Sequence, residues 1–321
     1  SMAAEISSTR MDPVLTRLMA VRAGATGFSV SGLTPESESN WLTAANGYAL
    51  GGGGAGTDGP GSAFSGFANI SGGWGDREAT DRTDAFDFNS FNFTIGVDYR
   101  FANNVVVGGA LSYYQIESEF DEKPTVSGGD TDSDGFGGFV YATWYAENFY
   151  VDGMLGYAAS SYDLRRNIVI PSKSKVDRIS ETAKASPDSR DYSVSVGAGY
   201  SFYPGAVNWG PYFRATYIDV DIDSYQETGA EASGLNLEVD GQSWKSFTTT
   251  LGAQFAYNFS GNFGVVVPQV RLGWIHQFEN DATDITAVYV DDPRNNQLRA
   301  TTDDPDRDYA EFGLGVSTVF K

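Results

Sequence analysis

The chain has no cysteine, a single histidine, and 21 Lys and Arg against 42 Asp and Glu. Without cysteine there is no disulfide framework, no thiolate metal site and no cysteine nucleophile. The formal charge is −21 and the isoelectric point about 4.2. Such a chain lacks the basic surface that neutralises phosphates, so nucleic acid is not an expected partner. The excess acid reads as a solubilising coat on exposed loops. Long apolar runs are missing too: no stretch approaches the ~20 residues of a membrane-spanning helix, and mean hydropathy is −0.29. A helical membrane protein is excluded. A membrane β-barrel is not, because its strands are apolar only at every second position. No secretory leader is visible, and Ser1-Met2 reads as a tag scar before Ala3, which leaves room for a removed targeting segment.

What the chain does have is 38 Gly and 14% aromatics, a composition that favours strands over helices. The one clear helix signal is "DPVLTRLMAVRAG", residues 12–24. Asp12 suits the N-cap and Pro13 the first helical position, with Gly24 or Gly27 ending it. Val14, Leu15, Leu18 and Met19 make an apolar stripe, with Arg17 and Arg22 on other faces. Residues 1–11 are read as tag and linker remnant, 12–62 as helix plus a Gly/Ser/Thr-rich linker, and 63–321 as the main domain. "GGGGAG" matches a dinucleotide-type glycine pattern, but no strand–turn–helix surrounds it, so it reads as flexible linker and no cofactor is expected.

From about residue 63 the period becomes two. In "FNFTIGVDYRF" the odd positions Phe91, Phe93, Ile95, Val97, Tyr99 and Phe101 are apolar, and the even positions are small or polar. "DYSVSVGAGYSF", "FTTTLGAQFAYNF" and "AEFGLGVSTVF" behave alike. Ten such strands begin near residues 63, 86, 104, 135, 148, 191, 209, 243, 263 and 308. Their connections alternate: short near 102–104, 146–148, 203–208 and 259–262; long and charged near 75–85, 119–134, 163–190, 222–242 and 279–307. In hydrocarbon every backbone polar group has to be paired within the protein, so a sheet must close on itself. Apolar side chains then face lipid, polar ones the lumen, and aromatics mark the interfaces. The pattern predicts an antiparallel outer-membrane barrel with short turns on the periplasmic side.

The order of motifs resembles the translocator, or β-barrel domain, of a type V bacterial autotransporter. Residues 12–24 match the helix that runs through the pore of that family. "FSGFANISGGWGDRE" resembles its first strand and "FTIGVDYRFANNVVVGGALSY" its Gly-x-Asp-Tyr strand, turn and next strand. "SDGFGGFVYATWYAENFYVDGMLGY" matches its fourth and fifth strands, "GPYFRATYIDVDIDSYQETG" its seventh, and "VVVPQVRLGWIHQFEND" its ninth. The resemblance implies a twelve-stranded barrel, of which ten strands are visible here. It also implies an N-terminal passenger exported and anchored by the helix, help from a BAM-type assembly machinery, contact with outer-membrane lipids and lipopolysaccharide, and a monomer. The family usually ends in two further strands; the chain stops at "GLGVSTVFK", which is read as a fragment, with a ten-stranded barrel as the other possibility. Some relatives cut an Asn-Asn pair inside the pore helix; here Asn103-Asn104 falls in a turn, so no such self-cleavage is expected.

Several constellations test other functions. His276 in "WIHQF" is the only titrating group near neutrality. It would serve an omptin-like protease, which together with a stand-alone ten-stranded outer-membrane channel is the alternative reading, but no Asp-x-His precedes it and it reads as structural. Asp130, Asp132 and Asp134 copy the opening of a calcium loop, and position 141, where the closing Glu should stand, is Tyr. They are the one weak metal candidate. Asp219, Asp221 and Asp223 share a strand face that is lumenal or beyond the membrane. Arg165, Arg166, Lys173, Lys175 and Arg178 form one basic loop, read as solvated, with contact to lipopolysaccharide phosphates as the other reading. By alternation Asp98, Asp152 and Glu311 point inward with Arg100, Arg214 and Arg271. Arg17 and Arg22 are expected to pair with some of these acids and hold the helix as a plug. No catalytic group is expected.

Overall fold

The computed structural model describes residues 2–22, 28–32, 51–52, 63–77, 79, 84–101, 104–121, 128–170, 179–257, 259–261, 264–279, 283–302 and 307–320. It contains one helix, α1 (Met2–Arg22), and ten long wall strands. These are β1 (Phe64–Arg77), β2 (Phe86–Phe101), β3 (Val105–Phe120), β4 (Gly129–Ala146), β5 (Phe149–Ile170), β6 (Asp188–Tyr200), β7 (Val207–Ile222), β8 (Gln242–Tyr257), β9 (Gly264–Glu279) and β10 (Asp308–Phe320). Each pairs antiparallel with its sequence neighbour, giving one rolled meander from β1 to β10. Among the described residues β10 and β1 do not pair directly. Residues Phe28–Gly32 run parallel along Gly66–Ile70 of β1, and Gly51–Gly52 pair with Val30 and Ser31.

The alternation is inverted relative to a soluble protein. Ile95, Leu111, Val140, Leu155, Val196 and Leu251 are exposed on the outer face. Asn92, Thr94, Ser112, Thr143, Ser193 and Ser195 are buried on the inner one. An outer surface of aliphatic and aromatic side chains is stable only against an apolar solvent. Ring pairs mark both ends of the strands: near the short turns Phe202 stacks on Trp209 at 4.5 Å and Trp144 meets Phe149 edge-on at 6.2 Å, and toward the long loops Phe247 meets Phe278 at 5.3 Å. Interfacial anchoring is needed at both. The β4–β5 turn leaves only Glu147 and Asn148 between paired residues, with Glu147 at φ 51°.

Two features differ from the sequence expectation. The helix begins at Met2, not at Asp12, so Asp12 and Pro13 lie inside it and cap nothing. Asp12 is buried, and Pro13 has no N–H for the carbonyl four residues before it. Gly24 and Gly27 lie outside the described residues. The long connections are also not plain loops. β4 begins at Gly129 rather than near 135, and β5 continues to Ile170, pairing with Ile179–Ala185. The segments Tyr225–Gln226, Leu237–Val239, Asp284–Tyr289 and Leu298–Thr301 build a separate four-stranded sheet. The wall strands outrun the ~9–11 residues that cross a bilayer; β5 has 22, so their outer ends continue as structure beyond the membrane.

The exposed Leu111 defines a test. Leu111→Arg places a cation against hydrocarbon and should cost about 2–4 kcal/mol, whereas Ser118→Ala, on the inner face, should cost far less. Urea titration of refolding into lipid vesicles reads both; equal costs would contradict the assignment of faces.

The lumen and the helix that fills it

α1 lies inside the rolled sheet, and its direction is fixed by its ion pairs. Arg10 donates to Asp191 at 2.5 Å. Asp191 stands near the start of β6, at the long-loop end. Arg22 donates to Asp152 at 2.6 Å, and Asp152 follows the short turn that opens β5. The N-terminal end of the helix therefore lies at the long-loop end and the C-terminal end at the short-turn end. Between them Arg17 grips Asp98 with two bonds, Nε to Oδ2 at 2.7 Å and Nη2 to Oδ1 at 3.2 Å.

The acids are themselves positioned. Tyr141 donates to Asp98 Oδ2 at 3.2 Å. Its ring occupies the space a Cβ on Gly108 would need, 2.3 Å from the ring carbon. Arg214 reaches both oxygens of Asp152 at 3.3 Å and Ser195 at 2.9 Å. A Cβ on Gly197 would fall 2.6 Å from the Asp152 carboxylate, so glycine leaves room for that pair. Cations also sit over rings: Arg22 at 3.8 Å from the Tyr150 centroid, Arg10 at 4.4 Å from Tyr114, and Arg271 at 5.7 Å from Tyr212. Arg271 donates to the Met19 sulfur at 2.9 Å, and Arg100 to Tyr145 at 2.6 Å and to the Val21 carbonyl at 3.1 Å. Glu311 is buried on the inner face of β10. The apolar side of the helix, Met11, Val14 and Leu18, packs on Phe67, Phe139, Tyr141, Met154 and Ile218.

The side chains of Arg17 and Asp98 are each 1% exposed. Charges so far from water are tolerable only in pairs; removing one partner strands the other at a cost of roughly 3–5 kcal/mol. The contact of Arg10 with Asp191 escaped the sequence reading because Asp12-Pro13 looked like the helix start. The seven-residue step from Arg10 to Arg17, about two turns, was the signal that places both on one face.

Other candidates are placed differently. His276 Nδ1 lies 2.8 Å from Asp308 Oδ1, across β9 and β10. The pair shares the outward phase of the exposed Trp274 and Phe278, and Phe278 meets the imidazole edge-on at 4.5 Å. Asp130 bonds Arg165 at 2.9 Å, and Asp132 and Asp134 share its outward face. Burial, then the charge of Asp130, raises the Asp132 carboxyl above its ordinary value. Among the described residues no group of three acidic or histidine side chains converges to hold a metal. Asp219 and Asp221 face outward, Asp221 exposed, and Arg190 approaches Asp223 at 3.8 Å. Of the basic loop, Arg165 is paired to Asp130 and Arg166 to Glu227; Lys173, Lys175 and Arg178 lie outside the described residues.

Asp98→Asn should lower stability by about 3–5 kcal/mol by stranding Arg17, and Arg17→Met with Asp98→Leu should recover most of it. Thermal unfolding in detergent measures both; a double variant no better than the single would contradict the pairing.

Comparison with known proteins agrees with this architecture. The autotransporter beta-domain family matches residues 66–321. Lipase 1 of Photorhabdus luminescens is 22% identical over 233 residues, covering 72% of this chain and 33% of that protein. The chain spans a third or less of the length of the relatives it matches. Among solved structures, the transport unit of the autotransporter AIDA-I from Escherichia coli aligns at TM-score 0.55 and 16% identity, over 81% of this chain and 80% of that one. The translocator domain of NalP from Neisseria meningitidis aligns at 0.53 and 11%, over 81% and 89%. An outward apolar wall, a polar lumen filled by an arginine-tethered helix and the match over residues 66–321 together make this chain a member of the autotransporter beta-domain family, an outer-membrane β-barrel.

Proposed function

We propose that the chain is the membrane unit through which its own upstream passenger reaches the cell surface and by which that passenger stays attached. One observation carries this reading: the direction of α1. Its N-terminal end lies at the long-loop end, beside Asp191, and its C-terminal end at the short-turn end, beside Asp152. Whatever precedes residue 1 emerges on the long-loop side, and the helix crosses the lumen as the tether. The ion pairs of Arg10, Arg17 and Arg22 hold the tether in place and keep the lumen filled.

The exposed aliphatic and aromatic belt fits outer-membrane lipids, with lipopolysaccharide in the outer leaflet. Membership of the family implies a monomer whose insertion in the cell is aided by a BAM-type assembly machinery. The chain's work in this reading is transport and anchoring, not catalysis. His276 and Asp308 pair on the outer wall, with Trp274 and Phe278 flanking the imidazole, on the face opposite the lumen.

Arg17→Glu with Arg22→Glu sets like charges against Asp98 and Asp152. The tether should loosen, and planar-bilayer recordings of the full chain should show open-pore currents that the parent chain lacks. Currents unchanged by the double variant would remove the plug from the account.

A further inference from the structure

Beyond the wall, the outer ends of three successive hairpins are tied into one body. The β5 extension pairs Leu164–Ile170 with Ile179–Ala185. Along β5 the lumen-facing positions are Ser160 and Tyr162, and the same alternation continues through Arg166 and Ile168. The segment Tyr225–Val239, from the β7–β8 connection, packs on that lumen-facing side. Ala230 buries itself against Ile168 and Ala183, with Ile179 and Leu235 alongside. Lys184 and Thr228 exchange backbone bonds of 2.7 and 2.9 Å. Gly229, at φ 102°, comes so close that a Cβ would lie 2.5 Å from the Thr182 carbonyl oxygen. Leu237–Val239 then pairs with Asp284–Tyr289 of the β9–β10 connection.

Polar bonds converge on one side chain in this body. Glu227 accepts from Arg166 through both oxygens, at 2.9 and 2.5 Å, and from the Leu237 backbone N–H at 2.8 Å. Arg166 also donates to the Leu235 carbonyl at 2.9 Å. The Glu227 side chain is 8% exposed and that of Arg166 40%. A buried carboxylate that loses its cation is costly, so loss of this pair weakens the hold of the segment on the hairpin, leaving the two Lys184–Thr228 backbone bonds and the small apolar contact to keep it there. Among the described residues the apolar contact beneath it is small, Ile168, Ala183 and Ala230 with Ile179 and Leu235 partly buried alongside, so the closed state rests on little apolar burial.

We infer that Tyr225–Val239 is a hinged cover on the long-loop mouth of the lumen, latched to the β5 extension by Arg166 and Glu227. With the latch closed the segment covers Ile168 and Ala183 on the lumen-facing side of the hairpin. With the latch open it swings off the hairpin and widens the mouth. Its purpose rests on the translocator reading: a chain in transit has to pass this rim. Its geometry does not. Failure of the Arg17→Glu, Arg22→Glu pore opening would sink that reading and leave the cover to be judged by the following experiment.

The chain has no cysteine, so a single Ala183→Cys reports whether the cover has lifted. Ala183 is 1% exposed and packs beneath Ala230 of the segment, opposite Arg166 on the hairpin. In the full chain a bulky maleimide-polyethylene glycol should label it slowly. Arg166→Glu should speed labelling about tenfold, the factor given by a latch weakened by ~1.4 kcal/mol. Adding Glu227→Arg to restore the opposite charges should slow it again. Heat-modifiable gel mobility confirms that each variant is folded. If Arg166→Glu misfolds, Glu227→Gln, which keeps the shape and removes the charge, gives the same reading. Labelling rates unchanged in a folded latch variant, or a charge swap that labels as fast as Arg166→Glu alone, would overturn the cover.

Discussion

A backbone that crosses hydrocarbon has to pair each N–H and C=O within the protein. In this chain ten antiparallel strands of 13 to 22 residues, each bonded to its sequence neighbours, meet most of that demand, and Phe28–Gly32 pairs along the outer edge of β1. The alternation of side chains follows. Once the sheet is rolled in lipid, the outward set of Ile95, Leu111 and Leu155 is the apolar one, and the inward set of Thr94, Ser112 and Thr143 is polar. A polar-lined tube is not a core. It has to hold water or something with polar side chains, and here it holds α1.

The helix suits that place because it is itself two-sided. Met11, Val14 and Leu18 meet the few apolar side chains of the inner wall, while Arg10, Arg17 and Arg22 meet its carboxylates. Burying three guanidinium groups would be prohibitive without these partners. With them, the same cost turns into positional specificity: sliding the helix by one residue would break all three pairs at once. The wall glycines belong to this arrangement, since Gly108 and Gly197 leave the space in which Tyr141 and Arg214 reach Asp98 and Asp152.

Much of this was legible in the amino-acid order. Period-two runs such as Phe91–Phe101 mark the crossing segments directly, because lipid demands an unbroken apolar face there. The inward phase of Asp98 and Asp152 is readable for the same reason. Outside the membrane the rule lapses. "GDTDSD" ahead of Phe136 is polar on both faces, so the first residues of β4 carry no alternation to read. The four-stranded outer sheet is built from pieces of two to six residues, too short for any period. Its latch joins residues 61 apart in sequence. The helix start was misread because Asp-Pro has the chemistry of a cap. Lumenal packing overrode it, holding Met11 and Asp12 buried within a continuing helix.

Anchoring depends on the polarity of the tether, and the cysteine-free chain allows that polarity to be read directly. Single cysteines are placed ahead of Ser1, at Asp291 in the outer sheet region and at Tyr203 in a short turn. Intact cells are then treated with a membrane-impermeant maleimide. The account predicts labelling of the first two positions from outside, and of Tyr203→Cys only after the outer membrane is breached. Labelling of the N-terminal cysteine together with Tyr203→Cys, and not with Asp291→Cys, would contradict it.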